Sequence, residues 1–157
     1  MRSVAYPDQR AATEWFADEL TEAATTSAGQ VAIVERSARE GHMPPLLRRR
    51  EAETYRVLEG EVAFFVGNDM VWAGPGDVVV APCDVARTFR VASPEARWIV
   101  LTQVRSLARF ADFGRAVSPP LAAPSTDWPS FEERDAVAAM GAVNDIELLG
   151  PPGALPS

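Results

Sequence analysis

Between Thr54 and Val104 the chain alternates short β-rich runs with turn formers, and that rhythm limits what it can fold into. "TYRVL", "VAFFV", "VVVAP", "TFRV" and "RWIVLTQV" are rich in β-branched and aromatic residues. Between them stand "EGE", Gly67-Asn68-Asp69, and "GPGD" at Gly74 to Asp77. Strands of this length, punctuated by Gly and Pro every 8–12 residues or so, predict an all-β sandwich or barrel. "GQVAIVERS", Gly29 to Ser37, reads as a further strand, and Gly41, Pro44 and Pro45 then break the chain.

The flanks read differently. "AATEWFADELTEAA", Ala11 to Ala24, has helix-favouring alanines and glutamates and Asp8 as a cap, but no clean apolar stripe. Past the barrel, "SLARFADFGRAV" places Leu107, Phe110 and Phe113 on one helical side, with Ser106 as cap. A proline-rich connector follows, then a capping box of Ser130 and Glu133. "IELLGPPGALPS" predicts an extended tail. The expected organisation is an N-terminal arm over 1–28, a β-barrel over 29–105, and C-terminal helices with a proline-rich tail over 106–157.

Composition narrows the chemistry. A net charge of −7 and a pI near 4.7 argue against a nucleic-acid partner and against an anionic membrane surface. No apolar run is long enough to span a bilayer and the N-terminus lacks a signal-peptide core, so a cytoplasmic location is expected. The single cysteine, Cys83, agrees with that and is expected to be a packed small residue. All 15 basic residues are arginine, so no lysine exists to form a Schiff base, pyridoxal phosphate included. With one histidine, His42, no multi-histidine metal site can be built, and its position predicts a surface loop residue.

Gly41, Glu53 and Gly60 stand at the spacing G-x5-H-x-H-x3,4-E-x6-G, and Gly76 and Pro82 at the spacing G-x5-P-x-G-x2-H-x3-N. Asp84, Arg87 and Val91 fill the remaining positions of the second pattern. These are the two motifs of the cupin family, which the stretch from Gly41 to Val91 resembles. "GHMPPL", "RFADFG" and "IELLGPP" also resemble small single-domain cupins of the quercetin-2,3-dioxygenase-like type. The resemblance implies a mainly β fold, a single cupin jelly-roll β-barrel with short C-terminal helices and a ligand cavity. It also implies an extended segment around Trp15-Phe16.

In such relatives two histidines and the glutamate of the first motif, with the histidine of the second, bind one divalent metal. Carried over, those positions are Leu47, Arg49, Glu53 and Arg87; with the alternative gap the first two become Leu46 and Arg48. In either register a leucine and an arginine replace the first two ligands. Leucine has no donor atom, and arginine stays protonated with no lone pair to offer. The expectation is therefore no metal and no cofactor.

Two guanidiniums with Glu53 carry about the charge of a divalent metal with that glutamate, so the pocket keeps its attraction for an anion. Arginine pairs bidentately with a carboxylate, enolate or phenolate, and buried donors stabilise charge developing in a transition state. Arg49, Glu53 and Arg87 are the candidate catalytic residues. Arg48, Leu47, Tyr55, Phe64, Phe89 and Trp98 are candidates to line the pocket. The expected ligand is a small molecule with an acidic oxygen, polyketide- or flavonoid-like, and the expected reaction a cyclisation, isomerisation or elimination. A non-catalytic binding module is the alternative, and a metal-dependent dioxygenase a third. Arg49–Glu53–Arg87 as a salt-bridged plug filling the cavity is the competing structural reading. Phe65, opposite Phe64 on its strand, predicts an exposed apolar face and a homodimer.

Overall fold

The computed structural model describes residues 2–3, 19–25, 31–103, 138–139 and 141–157. Among the described residues eleven strands run in chain order: β1 (Arg2–Ser3), β2 (Glu19–Thr25), β3 (Val31–Arg39), β4 (Pro45–Arg49), β5 (Glu53–Glu59), β6 (Val62–Val66), β7 (Asp69–Ala73), β8 (Val78–Ala81), β9 (Ala86–Val91), β10 (Glu95–Gln103) and β11 (Ile146–Pro152). They form two antiparallel sheets, ordered β1-β2-β3-β10-β5-β8 and β11-β4-β9-β6-β7. The eight strands β3 to β10 divide between the sheets as β3-β10-β5-β8 and β4-β9-β6-β7. That interleaving, in which successive strands other than the β6–β7 hairpin switch sheets and the last pair returns beside the first, is the jelly roll.

Alternation along each strand explains why the sheets face one another. On β5, Glu53, Tyr55 and Val57 are buried; on β9, Arg87, Phe89 and Val91; on β10, Ala96, Trp98, Val100 and Thr102. Trp98, Phe64, Val34, Val57, Val62 and Val91 are the large side chains most completely enclosed. Each Val or Phe so buried contributes roughly 1.5–3 kcal/mol from the hydrophobic effect.

Two glycines set corners that the barrel needs. Gly67 has φ 56 at the first position of the two-residue link in which Val66 pairs with Asp69, a II′-like hairpin. Gly60 has φ 75, and a Cβ there would lie 2.2 Å from the carbonyl oxygen of Glu95, so only glycine fits.

Outside the eight-stranded barrel, β2 extends one sheet by pairing with β3, and β11 extends the other by pairing with β4. The tail expected to be extended is so, and its Ile146–Pro152 segment is a sheet strand. Residues 138–139 and 141–143 are helical. The helix expected after Ser106, the capping box at Ser130 and Glu133, and the segment around Trp15-Phe16 lie outside the described residues. Phe65 is half-buried; the outward positions left exposed beside it are Met70 and Trp72 on β7. Among the described residues no helix is long and apolar enough to cross a membrane.

Candidate functional site

β4 decides which arginine faces inward. Leu47 and Arg49 are buried, whereas the Arg48 side chain is 43% exposed and lies 3.7 Å from Glu147 on β11. Leu47 sits opposite Arg87 in the β4–β9 pairing, which brings the two candidate ligand strands together. The inward set is therefore Leu47, Arg49, Glu53 and Arg87, the register with five residues after Gly41. Arg48 does not line the interior, because the pleat turns it to the outer face.

Glu53 is the hub of the interior. Its Oε1 accepts a short hydrogen bond from Arg49 Nη1. Its Oε2 accepts from the Tyr55 hydroxyl at 2.6 Å and from Arg87 Nη1 at 3.4 Å. Burial by itself would raise the Glu53 pKa; the charges of Arg49 and Arg87, the Tyr55 hydrogen bond and the charge of Arg36 outweigh it, and the carboxyl is held below its ordinary range. Tyr55 moves the other way: burial, and then the neighbouring Glu53 charge, push its phenol far up, so it is a neutral donor at any ordinary pH.

Arg87 is tied down on several sides. Its Nε donates to Val85 O at 3.3 Å, and its Nη2 to Pro82 O at 2.9 Å and to Arg49 O and Glu51 O at 3.3 Å each. One guanidinium thus pins the turn after β4 to the turn after β8. That makes Arg87 a positioning residue for Arg49 and Glu53. The β8–β9 turn also contains Asp84 at φ 58, where the cupin motif has glycine; aspartate is among the few other residues that adopt this conformation readily.

Around the cluster lies a cavity of about 40 Å³, lined by Arg36, Pro44, Pro45, Leu47, Arg49, Glu53, Tyr55, Arg87, Phe89, Trp98 and Val100. Among the described lining residues are three guanidiniums and the Glu53 carboxylate. Phe64 is not part of the lining; it stacks on Tyr55 at 4.9 Å and supports it from behind. Trp98 meets Phe89 edge-on at 5.0 Å, and its buried Nε1 has no hydrogen-bond partner among the described residues.

Arg36 was not among the residues singled out from the sequence. Its signal was there: Ala32, Val34 and Ala38 form the buried side of β3, and Arg36 is the one charged residue at the same parity. Glu51 is buried outside the cavity lining. Cys83 is exposed, not packed, because it sits on the β8–β9 turn. His42 is half-buried, its ring 5.8 Å from Phe89, and not on an open surface loop.

A second, larger cleft of about 320 Å³ lies along β4 and β11. Arg48, Arg49 and Arg50 line it together with Asp84, Asp145 and Glu147. Arg48–Glu147 and Arg50–Asp145 approach to 3.7 Å each.

No family model matches the chain, and no curated protein matches it. Solved structures do match. The cupin 2 conserved barrel domain protein from Rhodopseudomonas palustris is 15% identical over 52% of this chain and 58% of its own, with a TM-score of 0.48. The polyketide cyclase RemF from Streptomyces resistomycificus is 18% identical over 55% and 67%, with a TM-score of 0.46. The DMSP lyase DddQ from Ruegeria pomeroyi DSS-3 is 25% identical over 48% and 39%, with a TM-score of 0.45. The structural neighbours are cupin and double-stranded β-helix barrels. This chain spans about two-fifths of the length of the DMSP lyases it matches.

The cupin metal can be tested against the residues present. Of the four ligand positions only Glu53 carries a donor, and that donor is engaged by Arg49, Tyr55 and Arg87. Among the described residues no three His, Cys, Asp or Glu side chains are grouped to hold a metal ion. A catalytic site of the zinc type takes about three protein ligands and an open position. The residues do not fit the group.

Proposed function

We propose that this chain is a metal-independent cupin-type enzyme that draws the acidic oxygen of a small organic molecule into the barrel and stabilises negative charge there. The observation that carries this reading is the cavity itself: Arg36, Arg49 and Arg87 line it together with Glu53, in a place where solvent screens charge weakly. Arg87 holds the turns, Glu53 holds Arg49, and Tyr55 offers a neutral hydroxyl.

The chemistry follows from what keeps Glu53 ionised. When a substrate oxygen takes over Arg49, the main influence opposing burial is weakened and Glu53 becomes more basic. It then accepts the proton from a carbon next to the substrate carbonyl. The electron pair moves to the oxygen, where the guanidiniums stabilise the enolate. Return of the proton to another carbon completes an isomerisation; departure of a leaving group completes an elimination. A cavity this small takes only the oxygen-bearing end, against the roughly 300–1,000 Å³ that drug-sized ligands occupy. A polyketide- or flavonoid-like substrate keeps its ring system outside.

The test is a turnover screen of enolisable acids and phenols. Arg49→Met and, as a milder second variant, Arg36→Met are expected to lower kcat by about a hundredfold or more, as loss of one oxyanion donor does. Unchanged turnover in both folded variants would overturn the reading. The non-catalytic binder is the second reading, favoured by the fact that both Glu53 oxygens are already engaged. Saturable binding with no product for any ligand would select it.

A further inference from the structure

The outer face of the six-stranded sheet breaks the alternation that its inner face obeys. An antiparallel sheet with one wet side turns apolar residues inward and polar residues outward. Across β8-β5-β10-β3 the outward positions fall in two cross-strand rows, Val80–Thr54–Leu101–Ile33 and Val78–Arg56–Ile99–Glu35. Five of these eight residues are large aliphatics, so the face is mostly apolar. Val78, Val80 and Leu101 are 58%, 56% and 37% exposed, and Ile33 and Ile99 are half-buried. Single exposed aliphatics are ordinary; several together on one sheet face mark a surface that something covers.

Size and charge select what covers it. Four strands spaced about 4.8 Å apart, with β10 nine residues long, give a footprint on the order of 600 Å². That reaches the low end of the roughly 600–1,000 Å² that each partner gives to a stable interface. The two charges in the rows flank β10: Arg56 is paired with Ile99 from β5, and Glu35 is paired with it from β3. Consider a second copy turned about a two-fold axis that runs along β10 between the facing sheets. Such an axis keeps each residue's level along the strands and exchanges left with right. β5 of one copy then faces β3 of the other, and Arg56 meets the partner's Glu35 on both sides of the axis. Ile99 and Leu101 pack on their own images. An axis across the strands would instead set Arg56 on Arg56 and Glu35 on Glu35. Glu35 also lies 3.0 Å from Arg97 on this face, which holds its carboxylate at the surface. Two sheets stacked along a common strand direction sit about 10 Å apart, as in a β-sandwich.

We infer that the outer face of β8-β5-β10-β3 is the contact surface for a second copy of this chain, packed sheet on sheet about a two-fold axis along β10. The contact lies on the far side of the sheet from Glu53 and Tyr55 and stands apart from the anion reading. It gives the expected homodimer a different face from that of Phe65. Met70 and Trp72 make only a strip one strand wide, at the edge of the other sheet.

The test is analytical ultracentrifugation of the full chain between about 1 and 100 μM, the range in which an interface of this size is expected to form a dimer. Leu101→Asp is expected to raise the dissociation constant about a hundredfold or more, with Val80→Asp as the second variant should the first not fold. Arg56→Glu sets a carboxylate against the partner's Glu35 and is expected to raise it about tenfold, most at low salt. Trp72→Asp is expected to leave the dimer intact. Circular dichroism and thermal unfolding select the variants that keep the barrel.

A monomer throughout that range overturns the inference. So does a dimer that Trp72→Asp dissociates while Leu101→Asp and Val80→Asp leave it intact, since the contact then sits on β7. Dissociation by Leu101→Asp with no loss from Arg56→Glu overturns the axis along β10. None of these outcomes bears on turnover, so the anion reading is decided separately.

Discussion

Arg48 and Arg49 are neighbours in sequence and belong to two different electrostatic worlds. Arg49 pairs with Glu53 with side-chain exposures of 5% and 7%; Arg48 approaches Glu147 with exposures of 43% and 61%. One residue of pleat separates a buried, hydrogen-bonded ion cluster from a solvated contact. The same two charge types, at the same end of the same strand, thus differ in what their removal does. Inside, both partners have given up water, so each depends on the other. Outside, water replaces whichever partner is lost.

The sharpest way to break this comparison is to remove the interior carboxylate. Glu53→Leu removes the buried carboxylate that Arg49 and Arg87 share, and is expected to cost about 3–5 kcal/mol in urea unfolding. Adding Arg49→Leu to it is expected to recover part of that loss, because a missing pair is tolerated better than half of one. If the double variant is as unstable as the sum of the singles, the two side chains do not act as a unit.

Acid sharpens the same point. Glu53 titrates lower in the folded chain than in the unfolded chain. Its contribution is fully present above the unfolded carboxyl pKa, near 4.3, and is lost as pH falls through the lower folded value. Glu53→Gln is expected to flatten that part of the stability curve. An unaltered acid limb would place the titrating group elsewhere. Tyr55→Phe comes next in size, at about 1.5–3 kcal/mol for a buried hydrogen bond to a carboxylate. It is also expected to raise the Glu53 pKa, since that hydrogen bond favours the ionised form, and to move the acid transition upward accordingly.

Much of this was legible in the sequence. Turn spacing announces the barrel, and period-two alternation puts Glu53 with Tyr55 and Arg87 with Phe89 on common faces, where the strands bury them. The choice between Arg48 and Arg49 was not legible, because alternation fixes relative parity within a strand and says nothing of which parity faces in. The Leu47–Arg87 pairing, between residues forty apart, decides it. Arg36 shows the opposite failure: its parity with Val34 was visible, but nothing local brought β3 to the cavity. Nor did any motif show that Arg87 spends its donors on the carbonyls of two turns, since those acceptors meet only in the folded chain.

The smallest expected effect is the most demanding test of the contrast. Arg48 and Glu147 stand opposite each other in the β4–β11 pairing and line the same cleft. A cross-strand pair so exposed gains little, because water screens it and both side chains must be ordered to hold it. Arg48→Ala and Glu147→Ala are each expected to change stability by less than about 1 kcal/mol, and their coupling to disappear in high salt. The corresponding cycle on Arg49 and Glu53 is expected to give a several-fold larger coupling that salt barely touches. Equal couplings at the two sites would mean that water reaches the interior cluster as freely as the outer one. The cavity would then lack the weak screening on which its affinity for an anion depends.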